Sequence, residues 1–194
     1  DVADGQTLLD ACLRAGVWLP HACGHGLCGT CKVQVLDGDV EHGDASPFAL
    51  MDLERDDGYT LACSATATSD VTIEADVDEE PDAVSRPVRD FDGTVTRLEH
   101  LTADILGIWI GLDEPIGFHA GQYVNLRVPG VERPRAFSIA SSPSSENEIE
   151  LHVRLVPGGE ATPRLHSELA VGDQVRFSGP YGRFFVRRSA AKPM

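Results

Sequence analysis

The stretch Leu19-Pro20-His21-Ala22-Cys23-Gly24-His25-Gly26-Leu27-Cys28-Gly29-Thr30-Cys31 places three cysteines within nine residues. A fourth follows after 31 intervening residues, in Tyr59-Thr60-Leu61-Ala62-Cys63. Thiolates gathered this way bind soft metals. The spacing, Cys-x4-Cys-x2-Cys with a distant fourth, narrows the choice further. A disulfide framework fits poorly, because five cysteines are an odd number, three sit crowded in one loop, and nothing in the sequence marks secretion. Structural zinc also takes four thiolates, but usually as two closely spaced pairs, whereas Cys63 stands alone. Cys23-Gly24-His25 has the look of half a Rieske site, yet no Cys-x-x-His partner exists in the chain. His21 and His25 therefore read as solvent-facing loop residues. Cys12 reads as a small hydrophobe on a helix face.

Cys-x4-Cys-x2-Cys with a remote fourth thiolate is the plant-type spacing of 2Fe-2S sites, structural zinc remaining the four-thiolate alternative. Gly24, Gly26 and Gly29 have a reason to be there. A loop wrapped closely round an anionic cluster must turn its N–H groups to the sulfurs, and glycine permits the dihedrals. Leu27 and Thr30 are expected to fill between them.

Around this loop, Thr7 to Ala15 puts Leu8, Leu9, Cys12 and Leu13 on one helical face, with Gly16 as its C-terminal cap. Lys32 to Leu36 alternates as a half-buried strand that turns at Asp37-Gly38. Ser46-Pro47 reads as the start of a short helix ending near Gly58, and Val71 to Ala75 alternates again. The result is a small α+β unit whose first strand is expected before Asp1; the acidic start without Met suggests a chain cut at its front. Asp76 to Pro87 carries five carboxylates and two prolines and reads as a linker. Beyond it come alternating runs at Thr94–Leu98, Ile105–Ile110, Tyr123–Val128, Arg135–Ala140, Glu148–Val156, Gln174–Ser178 and Phe184–Val186. Turn residues separate them, which predicts an antiparallel barrel. Thr162-Pro163 caps one short helix ahead of Leu165, His166 and Leu169.

The 194 residues carry 31 acids and 16 bases, a net charge of −15. Up to Glu80 there are 17 acids against 3 bases, and from Pro81 onward 14 against 13, so the acidity belongs to the first unit. An acidic surface repels nucleic-acid phosphates and favours basic protein partners. Asp44, Asp52, Glu54, Asp56 and Asp57 are the residues expected to face such a partner. No apolar run approaches the ~18 residues of a membrane helix, and no signal peptide is visible. A cytoplasmic protein, free of membrane and nucleic acid, is the expectation.

Residues 19–31 with 59–63 resemble a plant-type ferredoxin domain, a β-grasp-like fold, over roughly residues 1–80. In the second half, Arg135-Ala136-Phe137-Ser138 alone is an ordinary barrel strand. Downstream, however, Pro157-Gly158-Gly159-Glu160-Ala161-Thr162 leads glycines into a helix N-terminus suited to pyrophosphate, and Gly179-Pro180-Tyr181-Gly182-Arg183-Phe184-Phe185 closes the pattern. In this order, residues 88–194, after a linker at 81–87, resemble the six-stranded FAD-binding barrel of the ferredoxin-NADP reductase superfamily. That resemblance implies Arg135 at an FAD phosphate, Phe137 along the isoalloxazine or ribityl chain, and Ser138 near flavin N5. It further implies His152, Val153 and Arg154 against the cofactor, with Gly158, Gly159 and Thr162 at the pyrophosphate. Phenylalanine stands where many members have tyrosine.

Ferredoxin first and barrel second resembles the reductase components of bacterial multicomponent monooxygenases, of the phenol hydroxylase, toluene and methane monooxygenase type. The family implies a 2Fe-2S cluster held by Cys23, Cys28, Cys31 and Cys63, and FAD reduced by NADH bound on a third domain after the barrel. It implies a diiron hydroxylase as the partner. No side chain is needed as a proton-transfer catalyst. The chain stops at Met194 and contains no glycine-rich dinucleotide fingerprint, so the NAD(P)-binding domain is expected outside it. A reductase for a Rieske dioxygenase or a cytochrome, or a non-enzymatic metal-binding interaction module, are the alternatives.

Overall fold

A computed structural model describes residues 2–77, 82–83, 86–145 and 147–185. The chain divides into two compact units, Asp1–Pro87 and Val88–Met194. Pro81, Val84 and Ser85 of the expected 81–87 linker, and Val186 of the last expected strand, lie outside the described residues.

In the first unit, α1 (Leu8–Arg14) is capped by Thr7, whose hydroxyl accepts from Asp10 N–H, and buries Leu8, Leu9 and Leu13. The next elements are β1 (Lys32–Asp37), β2 (Val40–Glu41), α2 (Asp52–Asp56), β3 (Tyr59–Leu61), β4 (Thr66–Ala67) and β5 (Thr72–Glu74). β1 is the centre of a three-stranded antiparallel sheet in the order β3-β1-β5, and β2 pairs with β4. Alternation in β1 sends Val33 into the core, where Leu50, Leu61, Ala62 and Ala65 are fully enclosed.

One expected boundary moves. Ser46-Pro47 opens only a turn, with Ala49 and Leu50 N–H both bonding to Ser46 C=O. Leu50 must then enter the core, so the backbone extends at Met51 (φ −73°, ψ 157°), and α2 starts afresh from there. Glu54 reaches back to the Met51 N–H at 2.9 Å, satisfying a donor that a helix start leaves free.

The second unit is an antiparallel sheet of β6 (Arg89–His100), β7 (Ile105–Leu112), β8 (Tyr123–Arg127), β9 (Arg135–Ser138), β10 (Glu148–Arg154) and β11 (Gln174–Tyr181), with α3 (Thr162–Ser167) after β10. The strand order is β10-β7-β6-β11-β8-β9. The two ends of the sheet meet at a bridge, Ile139↔Leu151, reinforced by Ala140 N–H bonding to Glu150 C=O at 2.7 Å. The barrel is thereby closed at one point. Val95, Ile108, Ile110, Val124, Leu126, Ile149, Leu151, Val153 and Phe177 fill its interior, none more than 1% exposed. Phe184 and Phe185 form no seventh strand. β11 absorbs the pairing as far as Tyr181, after which the chain leaves the sheet.

Candidate functional site

The cysteine loop precedes β1 and is positioned by the turn at 44–49. Ser46 N–H bonds to Gly26 C=O at 2.9 Å. Gly26 has φ +72°, and a Cβ there would lie 2.9 Å from Asp44 C=O, so neither the dihedral nor the space admits a side chain. What this close approach achieves is electrostatic. Gly26 N–H points at Cys63 Sγ at 3.2 Å across 37 residues, and His25 N–H at Cys23 Sγ at 3.4 Å. Peptide N–H groups aimed at sulfur are what a thiolate or an anionic cluster requires.

The four sulfurs come as two pairs. Cys28 interacts with Cys23, and its thiol is held down to about 6, chiefly by the Thr30 hydroxyl 3.2 Å away, then by the peptide groups of Cys23 and Thr30 and least by the Cys23 thiol. Cys31 is lowered to about 7 by its hydrogen bond with Cys63, against burial. Cys63 is pushed up by the same shared proton and by burial. Among the described residues no three His, Cys, Asp or Glu side chains converge as a single ion demands. Two pairs of thiolates suit two irons, so the donor set fits a 2Fe-2S centre.

Three details around the loop differ from expectation. Leu27 does not fill the loop; it is 65% exposed. Thr30 is exposed as well and serves the Cys28 sulfur instead of packing. His21 is half-buried, its ring against Trp18 (centroids 4.6 Å apart), with Nδ1 2.8 Å from Leu19 C=O. The Gly26 N–H acts as the glycine loop predicted, whereas Thr30 as a partner of the Cys28 sulfur is the contributor not singled out, although a hydroxyl two residues from a cysteine was a readable signal.

On the barrel, the structure brings most of the expected flavin residues to one seam. Beyond the Ile139↔Leu151 bridge, no further bridge joins β9 to β10 among the described residues, so the strands part towards Arg135 and Arg154. Glu150 turns its peptide groups to β9, donating to Ser141 Oγ and accepting from Ala140. Because peptide groups alternate along a strand, His152 and Arg154 present theirs along the same edge. Arg135 Nη2 bonds to Glu160 at 2.8 Å, which sets the 158–162 loop beside the start of β9. His152 bonds to Glu150 at 2.7 Å and Arg154 to Asp104 at 3.0 Å. Carboxylates thus hold all three cationic or imidazole side chains, and Glu160, Glu150 and Asp104 are members of the site that sequence reading missed.

Val153 is fully enclosed in the barrel, so its side chain cannot meet a cofactor at the seam; its C=O accepts from His166 Nε2 at 2.9 Å. Alternation explains this, since inward Leu151 and Val153 flank outward His152. Phe137 packs against the core while half exposed, lining the seam from within, whereas Ser138 lies exposed on the opposite face of β9, opposite Tyr123 of β8. At the edge of the strand both faces are within reach of one planar ligand. Thr162 is the first residue of α3 and not its cap: the cap is Ala161, and Thr162 Oγ1 accepts from Val156 N–H at 2.9 Å, closing the loop through Gly158 and Gly159. Gly158 (φ +73°) has no neighbour within 4 Å of a notional Cβ and lies open. An open glycine turn, an arginine and an unzipped strand edge fit an elongated dinucleotide such as FAD.

Comparison with known proteins agrees. Residues 1–68 match the 2Fe-2S iron-sulfur cluster binding domain and residues 92–186 the oxidoreductase FAD-binding domain. The chain is 59% identical over 191 residues to the phenol 2-monooxygenase reductase component DmpP of Pseudomonas sp., covering 98% of this chain and 54% of the relative. It is 57% identical over 189 residues to the phenol hydroxylase P5 protein of Acinetobacter pittii, 97% of this chain and 54% of the other. The crystal structure of the Amycolatopsis cytochrome P-450 reductase GcoB superposes with a TM-score of 0.89 at 42% identity, covering 99% of this chain and 57% of that one. The chain spans about half the length of the relatives it matches. Its cofactors are a 2Fe-2S cluster and FAD, and no described helix is long and apolar enough to cross a membrane.

Proposed function

We propose that this chain, which belongs to the iron-sulfur flavoprotein reductases that join a 2Fe-2S domain to an oxidoreductase FAD-binding domain, carries electrons from NADH to the hydroxylase of a phenol-type multicomponent monooxygenase. Residues 1–80 form the cluster domain, 81–87 the linker and 88–194 the FAD barrel. Cys23 with Cys28, and Cys31 with Cys63, are the ligand pairs for the two irons. FAD accepts electrons in pairs and a 2Fe-2S cluster handles them singly, which converts a two-electron donor to one-electron delivery. Gly26 and His25 N–H groups and the Thr30 hydroxyl steady the negative charge at the sulfurs. Arg135 and the Gly158–Thr162 loop hold the pyrophosphate, and the edges of β9 and β10, with Phe137, Ser138, His152 and Arg154, hold the flavin side. The proposed location is the cytoplasm.

The observation that carries this reading is the pairing of the four sulfurs under the N–H groups of a glycine loop, in the same chain as an open-seamed barrel. The test is anaerobic. The protein, with two irons and one FAD confirmed, is reduced with dithionite and mixed rapidly with the oxidised hydroxylase of a phenol monooxygenase. The EPR signal of the reduced cluster should disappear as the hydroxylase takes up electrons. A signal that outlasts mixing as it does in buffer would sink the reading. The likeness to a cytochrome P-450 reductase at a TM-score of 0.89 supports a haem monooxygenase as the second acceptor, to be mixed in parallel.

A further inference from the structure

Four of the large apolar side chains that the protein leaves in water sit around the cysteine loop: Phe48 is 96% exposed, Leu53 69%, Leu27 65% and Met51 55%. They lie on two segments in direct contact, since Gly26 C=O bonds to Ser46 N–H and Gly29 approaches Ala49 C=O. Phe48 extends from a turn that the buried Ala49 and Leu50 pin to the core, so its exposure follows from the fold. Single exposed apolar residues are ordinary, but several grouped beside a functional loop mark a contact surface. Exposed Asp52, Asp56 and Asp57 border it on α2 and just after it. Glu54 is instead tied to Lys32 at 2.5 Å, which fixes α2 against the strand that begins right after Cys31.

We propose that Phe48, flanked by Leu27, Met51 and Leu53 and bordered by the α2 carboxylates, is the anchor by which the reduced protein docks a redox protein whose centre opens in an apolar recess rimmed by lysine and arginine. The proposal deepens the electron-carrier reading and rests on it. Complementarity of charge selects this partner, because 17 acids against 3 bases up to Glu80 steer a basic surface to the unit. Aromatic and methionine side chains in a charged border are the usual composition of an interface centre. On docking, one electron passes from the reduced cluster to the oxidised metal centre of the partner; no bond forms or breaks and no proton is required.

Ferricytochrome c, a basic protein with an exposed haem edge, is the probe, and hexacyanoferrate(III), a small anion that needs no apolar contact, is the control. Dithionite-reduced holoprotein is mixed with each by stopped flow, as wild type, Phe48→Ser and Phe48→Leu. The second-order rate with cytochrome c should fall about tenfold in Phe48→Ser and stay near wild type in Phe48→Leu. The hexacyanoferrate rate should not change. Added salt should slow wild type and Phe48→Ser by the same factor, since Phe48 is uncharged. Equal cytochrome c rates for Phe48→Ser and wild type would overturn the anchor while leaving the electron-carrier reading intact. A wild-type protein that reduces neither acceptor would remove both.

Discussion

The cysteine loop and the barrel seam solve the same problem, holding a redox cofactor, by opposite means. Three of the four sulfurs lie within nine residues, and the loop that carries them is shaped by one turn and a few peptide N–H groups. The seam draws on Arg135 of β9, His152 and Arg154 of β10 and the 158–162 loop, placed by strand register around a six-stranded sheet. A locally built site depends on individual atoms, whereas a distributed one depends on the body behind it. The sharpest way to break this contrast is Cys31→Ala. Cys31 is 3% exposed and one sulfur of a pair, so its loss leaves one iron short of a ligand in a place serine or water cannot easily fill. Iron, sulfide and the EPR signal should all vanish, while FAD content stays near one per chain. Full iron retention would mean that the pairs are not the ligands.

The counterpart in the barrel is Phe177→Ala. Phe177 is fully buried and stacked on Phe91 (centroids 5.4 Å apart, planes at 17°), and removing such a ring costs about 3–5 kcal/mol through lost transfer energy and the cavity left behind. The flavin transition in urea should move to much lower denaturant, yet the folded variant should bind FAD with nearly unchanged affinity. A smaller effect of the opposite kind is expected from Arg135→Ala. Its charged hydrogen bond to a phosphate is worth roughly 1.5–3 kcal/mol, so FAD affinity should drop about tenfold to hundredfold, with the urea midpoint of the apoprotein hardly altered. Isothermal titration with FAD reads this directly; wild-type affinity in the variant would remove Arg135 from the phosphate site.

The same contrast explains what could be read from sequence. Cysteine spacing, the helical face of Leu8, Leu9 and Leu13 closed by Gly16, and the alternation of the first six barrel strands are local patterns, and the two kinds of element appear where that patterning puts them. What escaped depends on tertiary context. The helix after Ser46-Pro47 starts five residues late because Leu50 is pulled into the core, and no local propensity shows that demand. Two-residue β2 and β4 are too short to carry a period and exist only through each other. Val153 followed the pattern of a barrel strand, and its burial is the inward half of an alternation that the resemblance had assigned to the cofactor as a block. Glu160 and Asp104 were invisible for the same reason: they meet Arg135 and Arg154 across the fold, 25 and 50 residues away in sequence, whereas Glu150 stands two residues from His152 on one face of β10, a spacing that was readable.

His42 offers the finest test of how the first unit is held together away from the cysteines. Its Nδ1 lies 2.8 Å from the hydroxyl of Thr60, itself fully buried, and burial followed by the Arg55 charge lowers the imidazole below its ordinary value. Neutral His42 accepts the Thr60 hydroxyl; protonated His42 cannot, and would add a second cation beside Arg55. Below the ordinary histidine range of about 6.5, the unfolded chain therefore takes up a proton that the folded chain resists, so stability rises with pH through this window. His42 should contribute in full above that value and progressively less as the pH falls through the lowered one. The urea midpoint of the cluster unit, followed by its visible absorption, should decline on acidification more steeply in wild type than in His42→Asn, whose side-chain oxygen can still accept from Thr60 but does not titrate. Parallel declines would assign the acid sensitivity to other groups. A shallower slope in His42→Asn would show that even a unit organised by its thiolates leans on one buried hydroxyl pair for part of its stability.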